Sequence, residues 1–335
     1  MDLKTLCELN GLSGDERAVR AAILEEAREC CDAVTIDKMG NVVAFKHGTR
    51  HDTQQVVLCA HMDEVGFVIW GATEEGLLRF LPVGGMDPRV CVSKHVVAGD
   101  SGLRGVIGAM ARHLQTEEDK KRVLDFDHLY IDIGAADRRE ALDRCPEGTY
   151  FYFDAVYETY GEDCVVSKAL DDRVGCYNML RLMKKRYPCD VTYVFTCQEE
   201  VGSRGAFGAA WDAASAQTIV LEGTAANDLG CVPETQQVIR LGRGVGISFM
   251  DLTTIADQDL FNRLVDLGES FEVPYQIKSG VTGANDARAF QRVAEGGSVC
   301  VLSVPCRYIH GPSSVARLSD INAQYLLVRT FLENS

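Results

Sequence analysis

Two textures alternate along this chain, and their order constrains the fold more than any single motif does. From Phe67 to about Glu158 the sequence consists of short strand-like runs punctuated by glycine, at Gly76, Gly84-Gly85, Gly99, Gly102, Gly105 and Gly108. One helical stretch, near Asp137 to Asp143, interrupts them. That pattern reads as a small β-barrel or sandwich. On either side, strands and helices alternate. A helical run from Ala18 to Ala27 follows Ser13 and Glu16, which stand at capping-box spacing. Next come a hairpin pattern around Met39-Gly40-Asn41 and the apolar run Val56-Val57-Leu58-Cys59-Ala60, of the kind a strand buried on both faces shows. Beyond the glycine-rich stretch, helical segments Asp172 to Arg186, Asp257 to Glu269 and Asp320 to Leu332 are interspersed with strands Val191 to Cys197, Thr218 to Leu221 and Ser298 to Val304. Repeated strand–helix units predict an α/β fold, a mostly parallel sheet covered by helices on both faces, with an inserted small all-β domain. The expected boundaries are 1–66 and 159–335 for the two parts of the α/β unit and 67–158 for the insertion.

Charge narrows the partners. The 49 acidic residues outnumber the 34 basic ones, a formal net charge of −15. A phosphate-backbone binder needs a basic face, so no nucleic-acid partner is expected, and anionic lipid is disfavoured for the same reason. No apolar run approaches the ~18 residues of a membrane span, and the first residues carry no leader pattern. The thirteen cysteines contain no Cys-x-x-Cys pair; they read as buried thiols in a reducing, cytoplasmic setting.

Ligands of open α/β sheets gather beyond the carboxyl ends of the strands, and several ionisable residues stand at such ends: His61 and Asp63, Asp171 and Asp172, Glu199 and Glu200, Glu222, and His310. Singly, each has an ordinary explanation as a surface salt bridge, a helix cap or a solvated charge run. Together, two histidines and several carboxylates form an N/O donor set suited to one or two divalent ions. Neighbouring residues of a regular strand point to opposite faces, so Glu199 and Glu200 serve one site only if the chain bends there, as Gly202 permits.

The blocks Ala60-His61-Met62-Asp63-Glu64-Val65-Gly66-Phe67, Lys168-Ala169-Leu170-Asp171-Asp172-Arg173, Gln198-Glu199-Glu200-Val201-Gly202 and Arg307-Tyr308-Ile309-His310, in this order, resemble the signature blocks of the M42 family of dinuclear-metal aminopeptidases. Val83-Gly84-Gly85-Met86-Asp87 resembles the family's inserted segment. The resemblance implies a peptidase that hydrolyses N-terminal residues from short peptides, using two divalent metal ions per subunit: zinc, with cobalt or manganese as alternatives. Asp171 would bridge the metals, with His61 and Glu222 on one and Glu200 and His310 on the other. Glu199 would be the general base, and Asp63 would orient His61. Many family members carry Asp where this chain has Glu222, and Asp228 is the alternative ligand. Arg243, in the turn-like Gly242–Gly246 stretch, and Asp286, closing Gly280–Asp286, are the residues expected to bind substrate. The resemblance further implies a homo-oligomer, dimers joined through the insertion and assembling into a tetrahedral dodecamer. A related amidohydrolase or deacylase on the same scaffold is the alternative enzyme. A glycosidase would use paired carboxyls across a sugar, but Glu199 and Glu200 are better explained as base and ligand. A non-catalytic assembly scaffold is the reading from another class, and the complete donor set tells against it.

Overall fold

The structure, a computed structural model, describes residues 1–50, 54–99, 101–213 and 216–335. Its elements run α1 (Leu3–Glu8), α2 (Arg17–Cys30), β1 (Ala33–Ile36), β2 (Val42–Lys46), β3 (Val56–His61), β4 (Gly66–Ala72), β5 (Leu78–Val83), α3 (Pro88–Cys91), β6 (His95–Ala98), β7 (Arg104–Ala109), β8 (Leu129–Asp132), α4 (Arg138–Arg144) and β9 (Tyr150–Phe153). They continue with β10 (Glu158–Tyr160), β11 (Cys164–Ser167), α5 (Leu170–Met183), β12 (Val191–Thr196), α6 (Arg204–Ala209), β13 (Gln217–Ala225), β14 (Val245–Ser248), α7 (Gln258–Ser270), β15 (Tyr275–Lys278), α8 (Ala287–Arg292), β16 (Ser298–Cys306), β17 (Ser314–Arg317) and α9 (Leu318–Glu333).

Strands β1-β2-β12-β3-β13-β16-β14-β15 form an 8-stranded sheet in that order. Four of its pairings are parallel (β12–β3, β3–β13, β13–β16, β14–β15) and three antiparallel (β1–β2, β2–β12, β16–β14). The sheet is therefore mixed, which corrects the expectation of a mostly parallel sheet covered by helices on both faces. Apolar runs report burial, not the direction in which a strand pairs; the β1–β2 hairpin at one flank meets β12 antiparallel, and the parallel β14–β15 pair at the other meets β16 antiparallel. Helix cover is also unequal. Val56, Leu58 and Ala60 of β3 pack in one cluster with residues of the long helices α2, α5, α7 and α9. Val57 and Cys59 face the other way, toward the six-residue helices α6 and α8. Each fully buried aliphatic side chain here contributes roughly 1.5–3 kcal/mol relative to exposure.

Strands β4-β5-β8-β7-β6-β9 close into an antiparallel barrel. Its core is aromatic, with Phe67 edge-on to Phe80 at 4.9 Å and to Phe153 at 5.2 Å between ring centroids. Between barrel and sheet lies a buried ion cluster. Lys168 Nζ donates to Glu64 Oε1 at 2.6 Å, and the fully buried Arg173 donates to the carbonyls of Met62 and Leu6 at 2.9 and 2.6 Å. These bonds hold the segment that leaves β3 and enters the barrel. Among the described residues no helix is long and apolar enough to cross a membrane.

The predicted capping box does not form. The residue before α2 is Glu16, whose side chain makes no cap bond to the helix. Ser13 instead donates to Asp63 Oδ2 at 2.6 Å.

Candidate metal centre

Strands β3, β12 and β13, the segment after β16 and the first turn of α5 deliver their ionisable residues to one cleft of about 390 Å³. His61 ends β3, directly opposite Thr196 at the end of β12. Its Nε2 lies 3.5 Å from Asp171 Oδ1 and 3.7 Å from Glu222 Oε2. Across the cleft, His310 Nε2 lies 3.6 Å from Asp171 Oδ2 and 3.3 Å from Glu200 Oε2. One carboxylate thus faces two imidazoles with its two oxygens, and each imidazole faces a second acid. The other ring nitrogen of His61, Nδ1, is 3.0 Å from the Asp63 carbonyl oxygen. A proton on Nδ1 satisfies that contact and leaves Nε2 as the lone-pair nitrogen.

Local backbone makes this convergence possible. Strand β12 stops at Thr196, and Gln198 takes φ 57°, ahead of Gly202 at φ 117°. The bend therefore comes at Gln198 as well as at the glycine, and it brings Glu199 and Glu200 into the same cleft. Ala169, Ser203 and His310 also have positive φ, between 55° and 60°. Non-glycine residues held in this region carry local strain, of the kind that concentrates at functional sites. The Asp171–Asp172 peptide is cis. Asp63, fully buried, accepts the main-chain N–H of Glu199 at 2.9 Å and of Glu200 at 3.1 Å. Glu222 lies within β13, not at its end, just beyond the last β3–β13 pair at Val220. Next to it Gly223 has no room to grow: a Cβ there would sit 3.0 Å from Asp171 Cα. The barrel takes part too, since Gly85 lines the cleft and a Cβ on Gly84 would lie 3.3 Å from Glu200 Cβ.

Electrostatics agree with a site built for cations. Burial alone would depress the two histidines, but facing carboxylates more than offset it; His61 is raised well above the usual range and His310 to about 9. Burial raises Glu199 and Glu222 well above ordinary glutamate, and with Asp171 nearby it raises Glu200 to about 7. Asp171 runs the other way: burial would raise it, yet the imidazoles of His310 and His61 that face it hold it below the usual range. Two buried oxygens, Asp171 Oδ1 and Glu222 Oε1, have no hydrogen-bond partner. Orphaned acceptors of this kind are costly unless something electropositive meets them.

Two groups of donor atoms could each hold a metal ion: His61, Asp172 and Glu222, and Asp171, Glu200 and His310. Asp172 is otherwise engaged, because its oxygens accept the main-chain N–H of Gly175 at 3.0 Å and of His61 at 3.2 Å. Asp171, with an orphaned oxygen beside His61, is the better third donor for the first group.

The remaining sequence candidates lie elsewhere. Asp228 forms a bidentate pair with Arg307 at 2.7 and 2.8 Å and is withdrawn from the centre. Arg243 is exposed, on a turn whose Gly242 and Gly244 N–H groups both bond Asp320, and it does not line the cleft. Asp286 is fully buried behind the cleft wall, where it accepts a hydrogen bond from Thr196 Oγ1. Residues without a sequence signal take their place: Ser13 on Asp63, Ser203 donating to Glu199 Oε1 at 3.2 Å, and Lys278 and Arg288 in the cleft wall. A serine read as a helix cap and a lysine at the end of a plain strand offer no motif to find them by.

The model of the M42 glutamyl aminopeptidase family matches residues 40–327. The chain is 34% identical to aminopeptidase FrvX of Escherichia coli K12, over 98% of this chain and 94% of that protein. Among solved structures, aminopeptidase APDkam598 from the archaeon Desulfurococcus kamchatkensis superposes with a TM-score of 0.94 at 32% identity, covering 99% of this chain and 94% of that one. The TET1 peptidase of Pyrococcus horikoshii, which can assemble into a tetrahedron or a large octahedral shell, gives 0.87 at 32% identity and 98% coverage of both chains.

Proposed function

The chain belongs to the M42 glutamyl aminopeptidase family and is a peptidase, and on that footing we propose a metal-dependent aminopeptidase that removes N-terminal residues from short peptides. The observation that carries this reading is the shared carboxylate, Asp171, with one oxygen toward His61 and the other toward His310. Two divalent ions would be held, one by His61, Asp171 and Glu222, the other by Asp171, Glu200 and His310. Zinc suits imidazole and carboxylate donors, as do cobalt and manganese. The orphaned oxygens of Asp171 and Glu222 support the fit. When bound, such ions supply polarisation of the scissile carbonyl and lower the pKa of water from 15.7 toward about 7.

The protein's own groups do the rest. Glu199 is the general base: it takes the proton of the attacking water and returns it to the leaving nitrogen. Burial raises its affinity for a proton above that of an ordinary glutamate, which suits a group that both takes and returns one. Ser203 steadies the Glu199 carboxylate through Oε1, and Asp63 fixes its main chain. The Asp63 carbonyl oxygen also accepts a hydrogen bond from His61 Nδ1–H, keeping Nε2 aimed into the cleft. The same reading takes residues 67–158 as an inserted dimerisation domain, with dimers assembling into a tetrahedral dodecamer in the cytoplasm.

Release of chromophore from a panel of aminoacyl-anilides, with and without chelator, tests the proposal. Turnover that chelation abolishes and divalent metal restores is expected. Absence of metal-dependent turnover on every substrate would overturn it.

A further inference from the structure

Arg288, the second residue of α8, lines the cleft. Its guanidinium carbon lies 6.0 Å from the centre of the Phe207 ring on α6. Among the described residues it forms no ion pair, although four acids share the cleft with it. Its Nε donates instead to a neutral group, the hydroxyl of Ser203, at 3.1 Å. That hydroxyl in turn donates to Glu199 Oε1 at 3.2 Å. The main chain sets up this meeting. The N–H groups of Gly202 and Ser203 both bond the Glu199 carbonyl at 2.8 Å, and the fully buried Ser203 is held at φ 55°. A non-glycine residue in that region carries strain, and here the strained turn folds the serine back over the Glu199 carboxylate. A serine hydroxyl has one hydrogen and two lone pairs. Asp286 is the other carboxylate that feels this hydroxyl. Its Oδ2 already takes the Thr196 hydroxyl and its Oδ1 has no hydrogen-bond partner, so the hydrogen goes to Glu199.

We propose that Arg288 is a positioning residue for the general base: acting through Ser203, it fixes Oε1 of Glu199 and leaves Oε2 turned to the attacking water. The proposal rests on the aminopeptidase reading of the cleft, with Glu199 as its base. By filling a lone pair of the hydroxyl, Arg288 Nε–H sets the direction of the one hydrogen that Ser203 can donate. Donation into the oxygen also polarises the O–H bond and strengthens the second hydrogen bond, since bonds in a chain reinforce one another. Among the described residues Glu199 Oε2 has no hydrogen-bond partner and is open to water. Two consequences distinguish this role from contact with the peptide. The effect of Arg288 falls on kcat rather than KM, and it exists only while the Ser203 hydroxyl is present.

The test measures kcat and KM of metal-loaded wild type, Arg288→Met, Arg288→Gln, Ser203→Ala and the double variant Ser203→Ala/Arg288→Met, on the aminoacyl-anilide that the wild type turns over fastest. Glutamine Nε2 and methionine Cε stand at the same place along the side chain as arginine Nε. Arg288→Gln therefore keeps an N–H donor there without the charge, and Arg288→Met keeps the length without a donor. Arg288→Met is expected to lower kcat about tenfold, the scale of one hydrogen bond to a charged network, with KM nearly unchanged. Arg288→Gln is expected to recover most of that loss. Residues of one network couple, so Arg288→Met should lower kcat by less than about twofold once Ser203 is Ala. Metal content by elemental analysis should match wild type in every variant. An unchanged kcat in Arg288→Met, equal losses in Arg288→Met and Arg288→Gln, losses that multiply in the double variant, a change confined to KM, or a parallel fall in metal content would each overturn the proposal while leaving the aminopeptidase reading intact. A metal-loaded wild type that turns over no anilide would overturn both.

Discussion

Asp63 Oδ1 accepts the main-chain N–H of Glu199 at 2.9 Å, and this bond ties the end of β12 to the end of β3. The same carboxylate takes the N–H of Glu200 and the hydroxyl of Ser13. Asp63 therefore fixes two of the residues in the cleft through their backbone, while its own carbonyl fixes His61. Replacing it with Ala is expected to weaken metal binding by about 10–100-fold. Competition against a chromophoric chelator reads that loss directly.

Glu199 and Glu200 are adjacent and enter one cleft, yet only Glu200 faces an imidazole. Glu199→Gln should reduce kcat by about 10²–10⁴-fold, the range of a lost general base, with metal content close to wild type by elemental analysis. Metal loss equal to that of Glu200→Gln would make Glu199 a ligand instead.

Ligand binding to the folded state alone stabilises it. At free metal about 100 times its Kd, the gain is about 2.7 kcal/mol. Calorimetry of the chelated and the reloaded protein should show a lower Tm without metal, and turnover should return with the ion. An unchanged Tm across the full metal titration would contradict a centre formed by these buried acids.

Gly223 leaves Asp171 no slack, since a Cβ would sit 3.1 Å from its Oδ1. Gly223→Ala should cost about 1–3 kcal/mol in stability, as overpacking does. A displacement of about 1 Å near the reacting groups is enough to lower kcat/KM about 10²-fold. A thermal melt and a rate measurement on one preparation separate the two effects.

Arg173 is buried without exposure and donates to the carbonyls of Met62, Leu6 and Leu9 as well as approaching Glu64. Arg173→Met takes their donor from the Met62 and Leu6 carbonyls, while Leu9 and Glu64 keep Lys168. A loss of about 3–5 kcal/mol is expected, the usual range when one partner of a buried ionic cluster is removed, measured by urea unfolding of the metal-free protein.

Some of this molecule is legible in its sequence and some is not, for physical reasons. The meeting of His61, Asp171, Glu200 and His310 is foreshadowed by the donor set that the strand ends make together and by the resemblance of their sequence blocks to the M42 family, since each residue alone has an ordinary explanation. The pairing direction of β14 and of the β1–β2 hairpin is not, because a Val- or Ile-rich run looks the same in either direction. The apolar run before Glu222 predicts a strand ending there, yet β13 runs on to Ala225, held by β16 rather than β3. The choice between Glu222 and Asp228 turns on Arg307, 79 positions from the aspartate it engages. Local spacing makes Ser13 a helix cap, while its actual partner, Asp63, lies 50 positions away. In each case the deciding contact is remote in sequence, and local pattern has no access to it.

The barrel separates His61 from the rest of the cleft along the chain, and the two histidines that face Asp171 are 249 positions apart (310 − 61). During synthesis the first imidazole therefore emerges early and waits. Its acidic partners follow only after the barrel strands, and the second imidazole only after β16. On the proposed ligand set, a chain growing from the ribosome has no complete centre until that last segment is out and folded back, so metal-dependent cleavage would begin only when synthesis is nearly finished.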